Sequence, residues 1–250
     1  MEHRFHTPNP VELDVKIPAG DIVLETIDGE ESTVVVEGNE KLVEQTTVEL
    51  QGNRLVVEFR GPKPFGITIE IGGWRIGNEK LRVHARVPHS SRAVLQTTSA
   101  DSNVAGRLAE LEVRTMSGDL AVVGEIERDA TIKTVSGDVR FQEPIGGSLQ
   151  VQTVSGDLYA VRVSSSLTVK SVSGDVRIDS IREGKATLQS VSGDITLAVE
   201  RGTTVDVDAN SVSGDLASDF EIGDGDGIEP GPVLVIRGKT VSGDFRLTRA

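Results

Sequence analysis

From residue 111 onward, apolar and polar side chains alternate in short runs that break at a recurring tripeptide. Apolar residues recur at every second position: Leu111 and Val113, Ala130 and Ile132, Leu149 and Val151, Leu167 and Val169, Ala186 and Leu188, Val205 and Val207, Leu234 and Ile236. A period of two puts them on one face of a β-strand. Each run leads into Ser-Gly-Asp, preceded once by Met and six times by Val. A second short run follows at Leu120-Ala121-Val122, Val139-Arg140-Phe141, Leu158-Tyr159-Ala160, Val176-Arg177-Ile178, Ile195-Thr196-Leu197 and Phe245-Arg246-Leu247. The unit is strand, turn, strand.

The seven turns place Ser117 and Gly118, Ser136 and Gly137, Ser155 and Gly156, Ser173 and Gly174, Ser192 and Gly193, Ser213 and Gly214, and Ser242 and Gly243 at equivalent positions, the serines 19, 19, 18, 19, 21 and 29 residues apart. About 19 residues hold two or three short strands with their turns, which is one coil of a β-solenoid and too few for a strand-helix-strand crossover. A meander of antiparallel hairpins is the rival reading, since a tight Gly turn between strands is also a hairpin signal. The constant period favours the solenoid, where identical residues stack between coils. The expected fold is all-β, a single-chain β-solenoid with parallel pairing between successive coils.

Weaker turns at Ser99-Ala100-Asp101 and Ala19-Gly20-Asp21 extend the series upstream, and Ala100 in place of Gly implies a different backbone type there. Val43 to Phe59 reads as a hairpin about Gln51-Gly52-Asn53-Arg54, residues 62–79 as a loop or irregular hairpin, and Leu81 to Val87 as a strand. Residues 1–95 are thus expected to form an N-terminal β region that contains a hairpin, caps the solenoid and starts it. Residues 96–250 form the repeat solenoid, the two making one continuous structural unit.

Two columns of the repeat invite a chemical reading. A hydroxyl stands two residues before each Ser-Gly-Asp, at Thr115, Thr134, Thr153, Ser171, Ser190, Ser211 and Thr240. Strand parity turns these inward, as a hydrogen-bonded ladder closing the core. Asp119, Asp138, Asp157, Asp175, Asp194, Asp215 and Asp244 form the second column, either turn residues bonded to backbone N–H groups or a carboxylate row that binds cations. Stacked ~4.8 Å apart, exposed neighbours would repel by roughly 0.9 kcal/mol in water. Bonds to turn N–H groups offset that cost, so the structural role is favoured and neither a metal nor any cofactor is expected. The acidic segment 221–229 lacks the ligand spacing of a helix-loop-helix calcium site and reads as a solvated loop.

Charge narrows the partners. Lys and Arg total 26 against 39 Asp and Glu, a formal net charge of -13 over 250 residues, and no basic cluster interrupts it. Nucleic acid is therefore not an expected partner, and an anionic membrane surface would repel the chain. The chain has no Cys, and no stretch approaches 18 apolar residues, so neither disulfides nor membrane insertion is expected. The N-terminus lacks the apolar stretch of a secretory signal, which points to the cytoplasm, with envelope association only through a partner.

Catalysis finds little support. His3, His6, His84 and His89 lie outside the repeats, beside no nucleophile and acid set. Aromatics make up 3% of the chain, which leaves little to stack on sugars; Trp74 in its Gly-rich segment is the best single candidate for a partner contact, with a cover over the N-terminal end of the core as the favoured reading. The final strand, Asp244 to Ala250, runs to the end of the chain without a helical cap, so either Arg246 and Arg249 guard that edge as charged gatekeepers or homo-oligomers form through it.

The recurrent Val-Ser-Gly-Asp units, with Pro10-Val11-Glu12-Leu13-Asp14-Val15 leading to Ala19-Gly20-Asp21-Ile22, resemble the bacterial β-strand-repeat family called the toastrack domain and labelled adhesin. The likeness covers nearly the whole chain. It implies a right-handed β-helix-like fold of largely uncharacterised function, found in some members beside membrane segments of envelope-stress sensors, and supplies no catalytic residues. The expected function is a non-enzymatic interaction or scaffold module presenting a rigid repetitive β surface to a protein partner. A polysaccharide- or envelope-binding adhesin is the alternative, and a carbohydrate-active hydrolase stands behind both.

Overall fold

The computed structural model describes residues 1–61, 80–220 and 231–250. Trp74 and the 221–229 segment lie outside the described residues. Nearly all described elements are strands, joined in one sheet that winds as a solenoid. Among the described residues no helix is long and apolar enough to cross a membrane.

Each central coil contributes one strand before the Ser-Gly-Asp turn and one after it. The chain enters this region on β7 (Ser91–Arg114) and continues through β8 (Leu120–Ile126), β9 (Ala130–Lys133), β10 (Val139–Phe141), β11 (Leu149–Gln152), β12 (Leu158–Ala160), β13 (Leu167–Lys170), β14 (Val176–Ile181), β15 (Gly184–Gln189) and β16 (Ile195–Val199). The strands before the turn stack in parallel as β7, β9, β11, β13, β15. Those after it stack as β7, β8, β10, β12, β14, β16. A third row of single bridges joins Ile126, Ile145, Val163 and Ile181. Apart from a shift between Ile178 and Ile181 where β14 meets β16, register between these coils is one to one: Leu149 lies over Ala130 and under Leu167, Val151 over Ile132 and under Val169. Identical parity therefore sends every alternate residue inward, and one continuous apolar core runs from Val11 to Leu247.

The turns explain the repeat's invariance. Gly118, Gly137, Gly156, Gly174 and Gly193 have φ between 112° and 125°, which L side chains rarely adopt. A Cβ on Gly156 would lie 2.3 Å from the carbonyl oxygen of Gly137 one coil below, so stacking as well as φ demands glycine. Ala100 has no positive φ and lies within the continuous strand β7, so its turn is of another type.

At the N-terminal end, β2 (Glu12–Ile27) pairs with β7 on one side and with β5 (Arg54–Phe59) and β6 (Leu81–Pro88) on the other. β4 (Thr46–Gln51) closes the first ladder as an antiparallel hairpin with β5, Val48 facing Val57 and Leu50 facing Leu55. β3 (Glu31–Glu37) and β1 (Glu2–His6) extend the second, again antiparallel. The hairpin is shorter than the sequence suggested. Residues Glu40–Glu44 form the helix α1, because the Asn39 side chain caps it by accepting from the Lys41 N–H at 3.0 Å.

The C-terminal end corrects the sequence reading more deeply. β17 (Thr204–Ser213) and β18 (Leu216–Ser218) precede β19 (Val233–Ser242) and β20 (Phe245–Arg249) in the chain, yet the later pair lies inside the earlier one. β19 pairs with β15 and β17, and β20 with β16 and β18. The final strand is therefore paired on both sides and cannot be the oligomerisation edge. Among the described residues the open edge belongs to β17 and β18. Burial accounts for the exchange: the last coil offers Leu234, Ile236, Phe245 and Leu247, all buried, whereas the outer coil offers Val205, Val207, Ala209 and Leu216 and carries Asp206 and Asp208 outward. Those aspartates also make the open edge a charged one, a known guard against strand addition.

Candidate functional site

The Asp column faces solvent, but its carboxylates are engaged. Oδ1 of Asp119 accepts the backbone N–H of Asp138 at 2.8 Å, Asp138 that of Asp157 at 2.9 Å, Asp157 that of Asp175 at 2.8 Å, and Asp175 that of Asp194 at 2.9 Å. The relay passes from Asp194 to Asp244 at 2.9 Å and from Asp244 back to Asp215 at 3.0 Å, following the exchanged coil order. Each aspartate from Asp119 to Asp194, and Asp244, thus secures the turn of the next coil, with Asp215 ending the relay, and this bonding gives the column a structural role. Among the described residues no cluster of three His, Asp or Glu side chains is arranged to hold a metal ion.

In the hydroxyl column Thr134, Thr153, Ser171, Ser190 and Thr240 are buried as parity required and Thr115 and Ser211 partly so, with a different bonding pattern. Thr134, Thr153, Ser171 and Ser190 each donate to the carbonyl of the turn serine two residues on, at 2.9–3.2 Å. They brace their own turns rather than forming a ladder between coils; the contact of Thr97 with Thr115 at 2.8 Å is a local exception. Ser211 reaches across to the Gly243 carbonyl at 3.3 Å.

The histidines are dispersed. His3 stacks on Phe5, His6 is exposed on β1, His84 Nε2 lies 3.1 Å from Glu25, and His89 Nδ1 lies 2.6 Å from Thr26 Oγ1. On the outer face of the second ladder, Tyr159 donates to Asp179 at 2.7 Å and Arg177 donates to the same carboxylate at 2.8 Å. Burial alone would raise the Asp179 pKa, but the bonds from Arg177 and Tyr159 and the guanidinium charge together hold it below the usual carboxylate value. The bond to Asp179 raises the phenol of Tyr159. Asp179 accordingly adds stability above the ordinary carboxylate pKa, and that contribution is lost as pH falls through its depressed folded value. Tyr159 is the sole tyrosine. Asp179→Asn is expected to bring its ionisation down toward the ordinary phenol value, read as tyrosinate absorbance against pH; an unmoved titration would refute the pairing.

The feature that stands out is a groove along the solenoid. In each central coil the residue before Ser-Gly-Asp projects outward, so Met116, Val135, Val154, Val172, Val191 and Val241 form a ridge, each 46–49% exposed. The residue two positions earlier also faces out, giving the column Lys16, Gln96, Arg114, Lys133, Gln152, Lys170, Gln189, Lys239, Asn210 in order of coils. The hydroxyl column is the floor between them. One open cleft of about 390 Å³ is lined by Lys16, Ile17, Pro18, Phe59, Gln96, Thr97, Arg114 and Met116 among others. A second, of about 310 Å³, runs from Arg114 and Thr115 to Gln152, Thr153 and Val154. The two share Arg114 and Thr115 and together run from Lys16 to Val154, and the exposed ridge and the cationic and amide column continue beyond them in register. Sequence reasoning missed it, although the signal was present: the residues one and three positions before each Ser have the same outward parity.

This architecture, a parallel β-solenoid with hydroxyl-braced turns in its central coils, defines a class of repeat protein whose repeated geometry is structural. The Toastrack DUF4097 family model matches residues 11–248, and the chain belongs to that family. A lipid-binding candidate from Parabacteroides distasonis shares the fold at a TM-score of 0.56 and 16% identity, over 100% of this chain and 96% of that one. A candidate adhesin from Bacteroides fragilis matches at a TM-score of 0.42 and 12% identity, over 99% and 96% of the two chains. Comparison with curated proteins finds no match.

Proposed function

We propose that this chain is a non-catalytic binding module whose recognition surface is the longitudinal groove. The observation that carries the reading is the outward combination of an apolar ridge and a column of cationic and amide side chains, repeated coil after coil beside a floor whose central hydroxyls already donate to turn carbonyls. A rigid, periodic groove suits an extended partner with its own repeat, whether a protein segment or an envelope polymer. Among the described residues the histidines lie away from the groove and are dispersed, which favours binding over turnover.

The test is retention of material from soluble and washed envelope fractions by the immobilised chain. Lys133→Glu with Lys170→Glu should abolish retention while leaving the melting temperature unchanged, and Arg140→Glu on the second ladder should leave retention intact. Retention insensitive to the first pair and lost in the second variant would move the site to another face.

A second reading rests on the upstream cleft, where Ile17, Pro18, Phe59 and Met116 meet Lys16, Glu58 and Arg114, the lysine paired with Glu58 at 3.5 Å and the arginine with Glu112. Apolar lining beside ion-paired polar groups suits an amphiphile, and the relative from Parabacteroides distasonis bears a lipid-binding name. A fluorescent fatty acid displaced by Met116→Glu would favour it.

A further inference from the structure

We infer that the groove takes a linear anionic glycan carrying one acid group in every two sugars. This inference rests on the groove being the recognition surface. On the first ladder, the outward positions nearest the groove in the coils from β9 to β19 are Thr131 and Lys133, Gln150 and Gln152, Thr168 and Lys170, Thr187 and Gln189, and Arg237 and Lys239. These described positions include four cations and no carboxylate, in a chain whose formal net charge is -13. Arg237 is held by Asp206 at 3.1 Å. Among the described residues Lys133, Lys170 and Lys239 make no ion pair, so their charge is available to a ligand.

Spacing narrows the ligand. Lys133, Lys170 and Lys239 stand on every second coil, with Gln152 and Gln189 between them, so the charges repeat at ~9.6 Å, two strand spacings. A β-linked pyranose chain advances by nearly one coil spacing per sugar. A polymer with an acid on alternate sugars therefore presents a carboxylate to each lysine and a hydroxyl-rich sugar to each glutamine. Nucleic-acid phosphates and the side chains on one face of an extended peptide repeat at shorter intervals and fall out of step. The valine ridge supplies aliphatic contact for the C–H faces of the rings, and it separates the polymer from the Asp column, whose carboxylates lie beyond the turn. Each coil contributes little alone, so binding should rise steeply with polymer length and fall with salt.

Titration calorimetry with hyaluronan oligomers, which carry one carboxylate per disaccharide, tests this on the intact chain, with neutral dextran and polyglutamate as comparisons. Expected are binding that strengthens with oligomer length, no heat with dextran, weaker binding of polyglutamate, and a loss of about tenfold in Lys133→Gln/Lys170→Gln at unchanged melting temperature. Absent binding of hyaluronan, equal binding of polyglutamate, or indifference to the double substitution would overturn the glycan assignment. If the lysine variants still abolish retention of cell material while hyaluronan fails, the groove survives as the recognition surface and only the ligand class is wrong.

Discussion

Gly156→Ala should cost about 3–5 kcal/mol of stability, far more than a surface alanine ordinarily would. Two penalties coincide. At φ 123° the backbone is strained for any L residue, and the new Cβ would lie 2.3 Å from the Gly137 carbonyl oxygen. That contact is with backbone, held in register by strands on both sides of the turn, so neither partner can swing away. Gly52 provides the comparison: it also has a positive φ of 63°, but nothing lies within 4 Å of its would-be Cβ. Gly52→Ala should therefore cost only the conformational term, about 1–2 kcal/mol. Urea unfolding midpoints of the two variants measure the difference. Equal losses would mean that φ alone explains the glycine column and that the coils are packed less tightly at the turn. Because a solenoid's stability is close to a sum over neighbouring coils, the Gly156 variant should also lose amide protection first in the coils on either side of that turn.

Much of this architecture was legible in the residues because the repeat reports on itself. Period-two alternation at Leu149 and Val151 fixed the inward face, and the constant interval to Leu167 and Val169 implied the parallel register that places them in contact. The hydroxyls at Thr134 and Thr153 were assigned to the inside by the same parity. What a local pattern cannot encode is the order in which coils stack. Val205-Asp206-Val207 and Leu234-Val235-Ile236 both read as repeat strands, and only their competition for one layer of the core decides which lies inside. The longer interval of 29 residues before Ser242 marked an irregularity without revealing an exchange. The groove was hidden for a different reason. Residues such as Val154 are apolar and recurrent, which suggests core, and parity at the turn had to be followed one residue further to show that they face solvent. Helix α1 escaped because five residues carry too little periodicity, although Asn39 followed by Glu40 is an N-cap signal.

Ending the chain after residue 230 should unfold more than the twenty residues removed. The truncation deletes β19 and β20, and with them the ladder partners of β17 and β18. Burial of Leu234, Ile236, Phe245 and Leu247 contributes roughly 6–12 kcal/mol at about 1.5–3 kcal/mol each, and all of it is lost. Residues 204–218 could recover only by docking directly onto β15 and β16. Their own composition opposes that. They would offer the core Val205, Val207 and Ala209 in place of larger side chains. They would also lack the fit in which the Phe245 ring lies over Gly238, so close that a Cβ on that glycine would stand 2.6 Å from it. They would lose Arg237 as well, the neighbour that holds Asp206 at 3.1 Å. Hydrogen exchange on the truncated chain should therefore show 204–218 exchanging as unfolded backbone, 184–199 weakened as the new end coil, and 130–163 nearly unchanged. Persistent protection at 204–218 would mean that the two coils are interchangeable on the inner layer. The exchanged order would then reflect chain connection, not the apolar advantage of Leu234, Ile236, Phe245 and Leu247.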